Sequence, residues 1–339
     1  MATGKPYSLT LENRHLIVRW LTVVAAMIFI MVVLGGVTRL TESGLSIVEW
    51  KPVTGILPPL TEQGWQAEFD QYKTSPEFEK KNSDFTVAEF KTIYWFEYLH
   101  RLLGRLIGLA LVVPFAWLLW RRRIPGPLQP RLWAVMGLIA LQGFMGWYMV
   151  KSGLVDQPRV SQYRLAAHLG LAFVLYGYIV WIILSLLKPL SGRLGGFSRL
   201  LTALIFLQIL LGAFVAGTHA GFIYNTWPAM DNGHIIPPGI WTDPPLWRGA
   251  FEDLRIIQFN HRMMAYLITL LVGIWWWLNR AKGAPAHLLA AATLFQVGAG
   301  IVTVLILPYV PAWLAVFHQA GGLILFTAAL YALHRVRPE

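Results

Sequence analysis

Apolar runs of about 20 residues, the length a helix needs to cross a bilayer, recur eight times along this chain between polar stretches. They predict helices at roughly Leu16–Val37, Tyr94–Trp120, Leu132–Val150, Leu165–Leu187, Leu200–Thr218, Ile256–Leu278, Ala286–Leu307 and Ala312–Leu333. The first run is too long for a signal-peptide core and lacks a small-x-small cleavage site, so it is read as a span. The polar stretches sort by charge. One face collects Lys5, Arg14 and Arg19, then Arg121, Arg122, Arg123 and Arg131, then Lys188, Arg193 and Arg199, then Arg280, Lys282, Arg335 and Arg337, against the acids Glu12 and Glu339. On the other face acids outnumber bases. Basic loops stay inside, which puts both termini in the cytoplasm. The expected fold is an all-α integral membrane protein.

Composition agrees. Hydrophobic residues make up 56% of 339 positions and charged residues 13%, a balance unlike that of a soluble domain. The absence of Cys excludes disulfides, thiolate metal sites and cysteine-ligated haem. The net charge of +11 follows from the orientation bias, and no nucleic-acid-binding motif accompanies it.

The chain also repeats itself. Phe96-Glu97-Tyr98-Leu99-His100-Arg101 matches Ile257-Gln258-Phe259-Asn260-His261-Arg262. Leu141-Gln142 followed by Gly146 matches Phe295-Gln296 followed by Gly300. Leu165-Ala166-Ala167-His168 matches Leu314-Ala315-Val316-Phe317-His318 with one residue inserted. After the first span, Thr41-Glu42-Ser43-Gly44-Leu45, then Trp50, echo Thr218-His219-Ala220-Gly221-Phe222, then Trp227. The expected architecture is therefore two duplicated four-helix bundles, residues 1–190 and 191–339.

His100, His168, His261 and His318 stand one each in the second, fourth, sixth and eighth spans. All lie within roughly 6–11 Å of the outer ends at helical rise. A neutral imidazole buried in lipid is costly unless its nitrogen is used. Two pairs at one depth suit two bis-histidine haems, one per bundle. Taken singly, each would more often be a hydrogen-bonded structural histidine. A zinc or non-haem iron site would want carboxylates or an H-x-x-x-H helix, whereas here there is one His per helix and a single carboxylate within the spans. His15, His234, His287 and His334 fall in loops or at interfaces. His219 matches Glu42 in the repeat, which argues against ligand duty. Gln142, Gln208 and Gln296 each precede a glycine by four residues, a pattern that helix packing through small residues explains as well as ligand contact.

Glu97 lies one turn before His100, and its repeat counterpart is Gln258, which cannot ionise. An acid inside a membrane helix is a functional-site hypothesis. The competing reading, an ion pair with Arg101 or Arg105, is weakened because Arg262 persists beside a Gln. The divergence suggests a catalytic first half and an electron-handling second half. Arg101 and Arg262 follow their histidines directly, where they could pair with haem propionates. Arg39–Lys91 mixes Trp50, Trp65, Phe69, Tyr72 and Phe78 with acids, Ala220–Arg255 carries Trp227, Trp241 and Trp247 among prolines, and outer segments of such length usually carry function. They are expected to cap the two sites or to lie on the membrane surface.

Glu-x-x-His-Arg in the second span, a His in the fourth, and their repeats in the sixth and eighth resemble haem A synthase over nearly the whole chain. Glu89 to Arg101 is similar to the mitochondrial and alphaproteobacterial subgroup. The cysteine pair that some bacterial members carry in the first outer loop is absent here. The resemblance implies oxidation of the C8 methyl of haem O to a formyl group by successive hydroxylation. It implies haem O held by His100 and His168, with Glu97 acting at the reacting carbon or moving protons, and a haem b cofactor held by His261 and His318. It further implies a bacterial inner membrane, with haem O synthase, oxidase assembly factors and a second copy of the chain as partners. The rival classes are a non-catalytic diheme b-type electron carrier and a haem transporter. Ligands at a single depth oppose the carrier, and the Glu97/Gln258 divergence opposes the transporter.

Overall fold

The computed structural model describes residues 9–50, 54–153, 160–190, 192–242, 246–307 and 313–336. Among them the order is α1 (Leu11–Leu40), α2 (Glu62–Lys73), α3 (Pro76–Lys81), α4 (Val87–Trp120), α5 (Gln129–Gly153), α6 (Gln162–Leu187), α7 (Gly196–Thr218), α8 (Leu246–Glu252), α9 (Leu254–Asn279), α10 (Ala284–Ile306) and α11 (Trp313–Arg335). No strand occurs among the described residues beyond an isolated bridge between Asp231 and His234.

Polar caps set where the helices begin. Thr10, Ser161 and Asp253 accept hydrogen bonds from first-turn N–H groups of α1, α6 and α9. Thr86 and Glu89 form a reciprocal capping box that starts α4 at Val87, two turns outward of the expected Tyr94. The outer segment expected over Arg39–Lys91 is therefore partly helical: it contains α2, α3 and the first turns of α4. Likewise α8 occupies part of the second outer segment.

Among the described residues seven helices are long and apolar enough to cross a membrane: α1, α4, α5 with the turn before it, α6, α7, α10 and α11. The remaining expected span, the sixth, corresponds to α9. It has the length, 26 residues, but falls outside the apolar group. Its first turns carry Arg255, Gln258, Asn260, His261 and Arg262, and three tryptophans close its other end.

In the centre, α6 and α11 cross each other, and α1 and α7 each pack against both. Around them α4 lies on α1, α5 on α6, α9 on α7 and α10 on α11. At the α6–α11 crossing Gly177 leaves no room for a side chain, since a Cβ there would meet Phe326 at 2.8 Å. The dense apolar core sits toward one end of the bundle, built from Leu21, Val24, Leu111, Phe115, Phe173, Ile179, Leu201, Trp275, Phe326 and Ala329. The four histidines sit toward the other end. Of the outer helices α5 and α10 bury little: Leu132, Val135 and Gly153 in one, Ala286, Leu289 and Thr293 in the other, of which Leu132, Val135, Ala286 and Leu289 join the apolar core. Large apolar side chains such as Leu109, Val113, Leu270 and Leu294 face outward, the surface a lipid-embedded protein presents.

Candidate functional site

Each of the four histidine rings abuts a glycine on a neighbouring helix. A Cβ at Gly35 of α1 would lie 3.3 Å from His100 Nε2, and one at Gly146 of α5 would lie 3.4 Å from His168 Cε1. At Gly212 of α7 it would lie 3.2 Å from His261 Cε1, and at Gly300 of α10 2.9 Å from His318 Cε1. The glycines let each imidazole approach the neighbouring helix closely; at Gly300 a side chain would force the ring to move, and at Gly35 and Gly212 it would crowd it.

One turn before three of those glycines stands a glutamine, and its amide grips the same histidine. Gln142 Nε2 donates to the His168 carbonyl at 3.2 Å and lies 3.2 Å from the ring. Gln208 Nε2 donates to the His261 carbonyl at 2.9 Å. Gln296 Nε2 donates to the His318 carbonyl at 2.9 Å and lies 3.2 Å from ring Nδ1. The sequence shows this Gln-x-x-x-Gly recurrence, but packing accounted for it equally well. Only the contacts reveal that it is a frame for histidine.

The rings of His261 and His318 stand 6.4 Å apart, centre to centre, and nearly perpendicular at 84°. Two imidazoles binding one ion from opposite sides at about 2 Å place their centres roughly 6 Å apart, so this pair has the separation of axial ligands. His100 and His168 are close enough to interact electrostatically. Among the described residues no group of three or more His, Asp or Glu could hold a bare metal ion. The polar surroundings fit a ligand role as well. The amide oxygens of Gln142, Gln208 and Gln296, and Nδ1 of His168 and His261, are buried without hydrogen-bond partners. A histidine bound to metal through one nitrogen needs a polar partner at the other, and the amides of Gln142, Gln208 and Gln296 lie 3.2–3.5 Å from ring nitrogens of His168, His261 and His318.

Glu97 is 2% exposed and accepts four hydrogen bonds. Ser46 Oγ donates at 2.7 Å and the Ile47 N–H at 2.8 Å; Arg101 donates through Nη2 at 2.6 Å and Nε at 3.0 Å. The ion pair that the repeat seemed to disfavour is thus present. Arg101 also donates to the carbonyls of Ile47 and Glu49. In the second half Gln258 Nε2 donates to the Tyr224 carbonyl at 3.0 Å, and Arg262 donates to the carbonyls of Tyr224 and Thr226. Ile47 and Tyr224 stand equally far past Thr41 and Thr218. Both pairs therefore tie down the loop that leaves the preceding long helix, one with a carboxylate and the other with an amide.

The first outer segment is built onto α4 by aromatic packing of Trp65, Phe69 and Tyr72 with Phe90, Ile93 and Tyr94. Inside it lies an acid that sequence reading missed. Glu77 is 2% exposed and accepts a hydrogen bond from Tyr72 OH at 3.2 Å, and Asn82 donates to the same hydroxyl. Burial, reinforced by the charge on Glu97, pushes the Glu77 carboxyl up to about 7. No pattern in the sequence separates it from the exposed acids beside it. His219 and Glu42, paired by the repeat, also meet in space. Both have positive φ at helix ends, and His219 Nε2 lies 3.6 Å from Glu42 Oε1, with Arg39 donating to the Ala216 and Gly217 carbonyls beside them. Of the histidines given no chemistry, His15, His287 and His334 lie in helices near their ends. His334 is buried against Trp181 and Ser185.

Comparison with known proteins points the same way. The chain is 52% identical over 330 residues to a protein of Parvibaculum lavamentivorans named heme A synthase, covering 96% of this chain and 95% of that one. It is 49% identical over 334 residues to the heme A synthase of Nitrosospira multiformis, covering 94% and 93%. It is 47% identical over 333 residues to that of Bradyrhizobium sp. strain BTAi1, covering 94% and 91%. No solved structure matches the chain. The family of cytochrome oxidase assembly proteins matches over residues 18–330, nearly the full chain, and it is to this family that the protein belongs.

Proposed function

We propose that this protein is a haem A synthase, an oxidoreductase that converts haem O to haem A by oxidising a ring methyl to a formyl group. The observation that carries the reading is the frame repeated around four histidines at one end of the bundle: a glycine under every ring, an amide on three of them, and an axial-ligand separation between His261 and His318. The full-length likeness to proteins named heme A synthase supports it.

In this reading residues 1–190 and 191–339 are duplicated four-helix halves, with α9 counted as the eighth span. The recurrence of packing pairs supports that division: α1 with α4 and α7 with α9, α5 with α6 and α10 with α11. Both termini are cytoplasmic, in a bacterial inner membrane. His261 and His318 hold haem b, which supplies electron chemistry when bound. His100 and His168 hold haem O, the substrate. Gln142, Gln208 and Gln296 fix the orientation of His168, His261 and His318. Glu97, one turn from His100, holds or accepts a proton during methyl oxidation, and the Ser46–Ile47 loop that it anchors closes over the site. Arg101 and Arg262 meet haem propionates with the donors not spent on Glu97 and the loop carbonyls. A diheme electron carrier would need none of the Glu97/Gln258 difference.

Extraction of pigment from the purified protein tests this. Haem O or haem A beside haem b is expected, and His261→Ala or His318→Ala should remove haem b from a folded protein. Haem b alone in both halves would establish the carrier instead.

A further inference from the structure

The glutamine frame is complete at three histidines and missing at the fourth. Gly35 and Gly212 lie 177 positions apart and bear on His100 and His261, and the same offset relates Thr41 to Thr218 and Glu42 to His219. By that offset the partner of Gln208 is Met31, one turn before Gly35. A thioether donates no hydrogen bond. Met31 instead lays its methyl group over α4: a Cβ at Gly104 would lie 3.6 Å from Met31 Cε. Among the described residues no side chain donates to the carbonyl or ring of His100.

We propose that His100 is the exchangeable ligand of the four, released because Met31 stands where the other three histidines have a glutamine. The inference rests on the haem-binding reading above and deepens it. A site that takes in a substrate and gives up a product must let go of it, whereas a resident cofactor need not. Two histidines gripping one iron oppose release unless one of them is weakly held. The amide that holds a metal-bound histidine by its carbonyl and stands beside its ring fixes the ring's position, and loss of such an outer partner typically weakens metal binding about 10- to 100-fold. The second half has both amides, on His261 and His318, as a permanent site requires. The first half has one, on His168, and lacks the other on the helix that also carries Glu97. Release of His100 therefore opens the substrate site on the side of α4, where the buried carboxylate stands one turn away.

Carbon monoxide binds reduced haem iron only where a ligand has left, so it reports release without turnover. The full-length protein carrying both haems would be reduced and titrated with carbon monoxide, following the visible spectrum. In the wild type one haem should react readily and the other should resist. Met31→Gln should suppress the reactive component about 10-fold or more. Met31→Leu, similar in volume and equally unable to donate, should behave as wild type. Gln208→Met should make the second haem newly reactive, transferring the property to the other half. Unchanged reactivity in Met31→Gln with both haems in place, or a Gln208→Met protein whose second haem stays inert, would overturn the proposal. Where Met31→Gln does not assemble, the Gln208→Met result decides alone. A wild-type protein without bis-histidine haem would instead overturn the underlying haem-site reading.

Discussion

Glu97 and Gln258 perform the same mechanical task with different chemistry, which makes the pair a natural experiment. Each anchors its loop next to an arginine, so an amide at position 97 has a working precedent 161 residues further on. Glu97→Gln should therefore leave the fold and both haems in place. If the carboxyl moves a proton in the reaction, formation of haem A should drop by about 10²–10⁴-fold, with haem O or its alcohol accumulating in extracts. Undiminished haem A would reduce Glu97 to an anchor. The glycines make a second residue-scale test. Gly300→Ala puts a methyl group 2.9 Å from His318 Cε1, and the ring must move. Haem retention in the second half should fall by roughly ten-fold or more. Gly137→Ala, with nothing within 4 Å, should leave it unchanged.

At the scale of elements, the first outer segment is a small aromatic core attached to the outward extension of α4, with a buried carboxyl that should make it respond to pH. The carboxyl of Glu77 sits in that core with Tyr72 hydrogen-bonded to it and with Glu97, Lys81 and Glu42 as its charged neighbours. Its folded value of about 7 exceeds the ordinary 4.5, so the folded segment holds the proton more tightly than the unfolded one. The stabilisation is present below the ordinary value and is lost as pH rises through about 7, an effect on the order of 3 kcal/mol at most. Amide protection in α2 and α3, taken relative to the intrinsic exchange rate at each pH, should thus be greater at pH 5 than at pH 8. Glu77→Gln should flatten that dependence. An exchange rate whose pH profile stays the same in the variant would show that Glu77 does not control the segment.

For the whole molecule, charge sets direction and packing sets adjacency. The basic loops predict that reporters fused to the Arg121–Arg131 connection and to the C-terminus respond as cytoplasmic, with reporters in Arg39–Lys91 responding as external. A C-terminus found outside would mean an odd number of spans. The four histidines would then no longer share one membrane face, and α9, which is not among the seven helices long and apolar enough to cross a membrane among the described residues, would be the helix to re-examine.

Much of this was legible from one dimension. Apolar runs long enough to span a bilayer force helices, because backbone groups in lipid must bond within their own segment, so length and hydropathy sufficed for the all-helical membrane class. Internal repetition paired His100 with His261 and His168 with His318 before any coordinate was known. What sequence could not supply were contacts between residues far apart along the chain. Gln142, Gln208 and Gln296 looked like packing residues because their partners lie 22 to 53 positions away, across a helix interface. The Glu97–Arg101 ion pair was discounted because a repeat reports which residues are shared, whereas bonding depends on side-chain direction. Glu77 was invisible because burial of a loop acid is decided by the aromatic core that folds over it. The absence of an amide at His100 acquires meaning only once the other three amides are seen in place: local composition determines which helices form, and the crossing of those helices determines which side chain holds which.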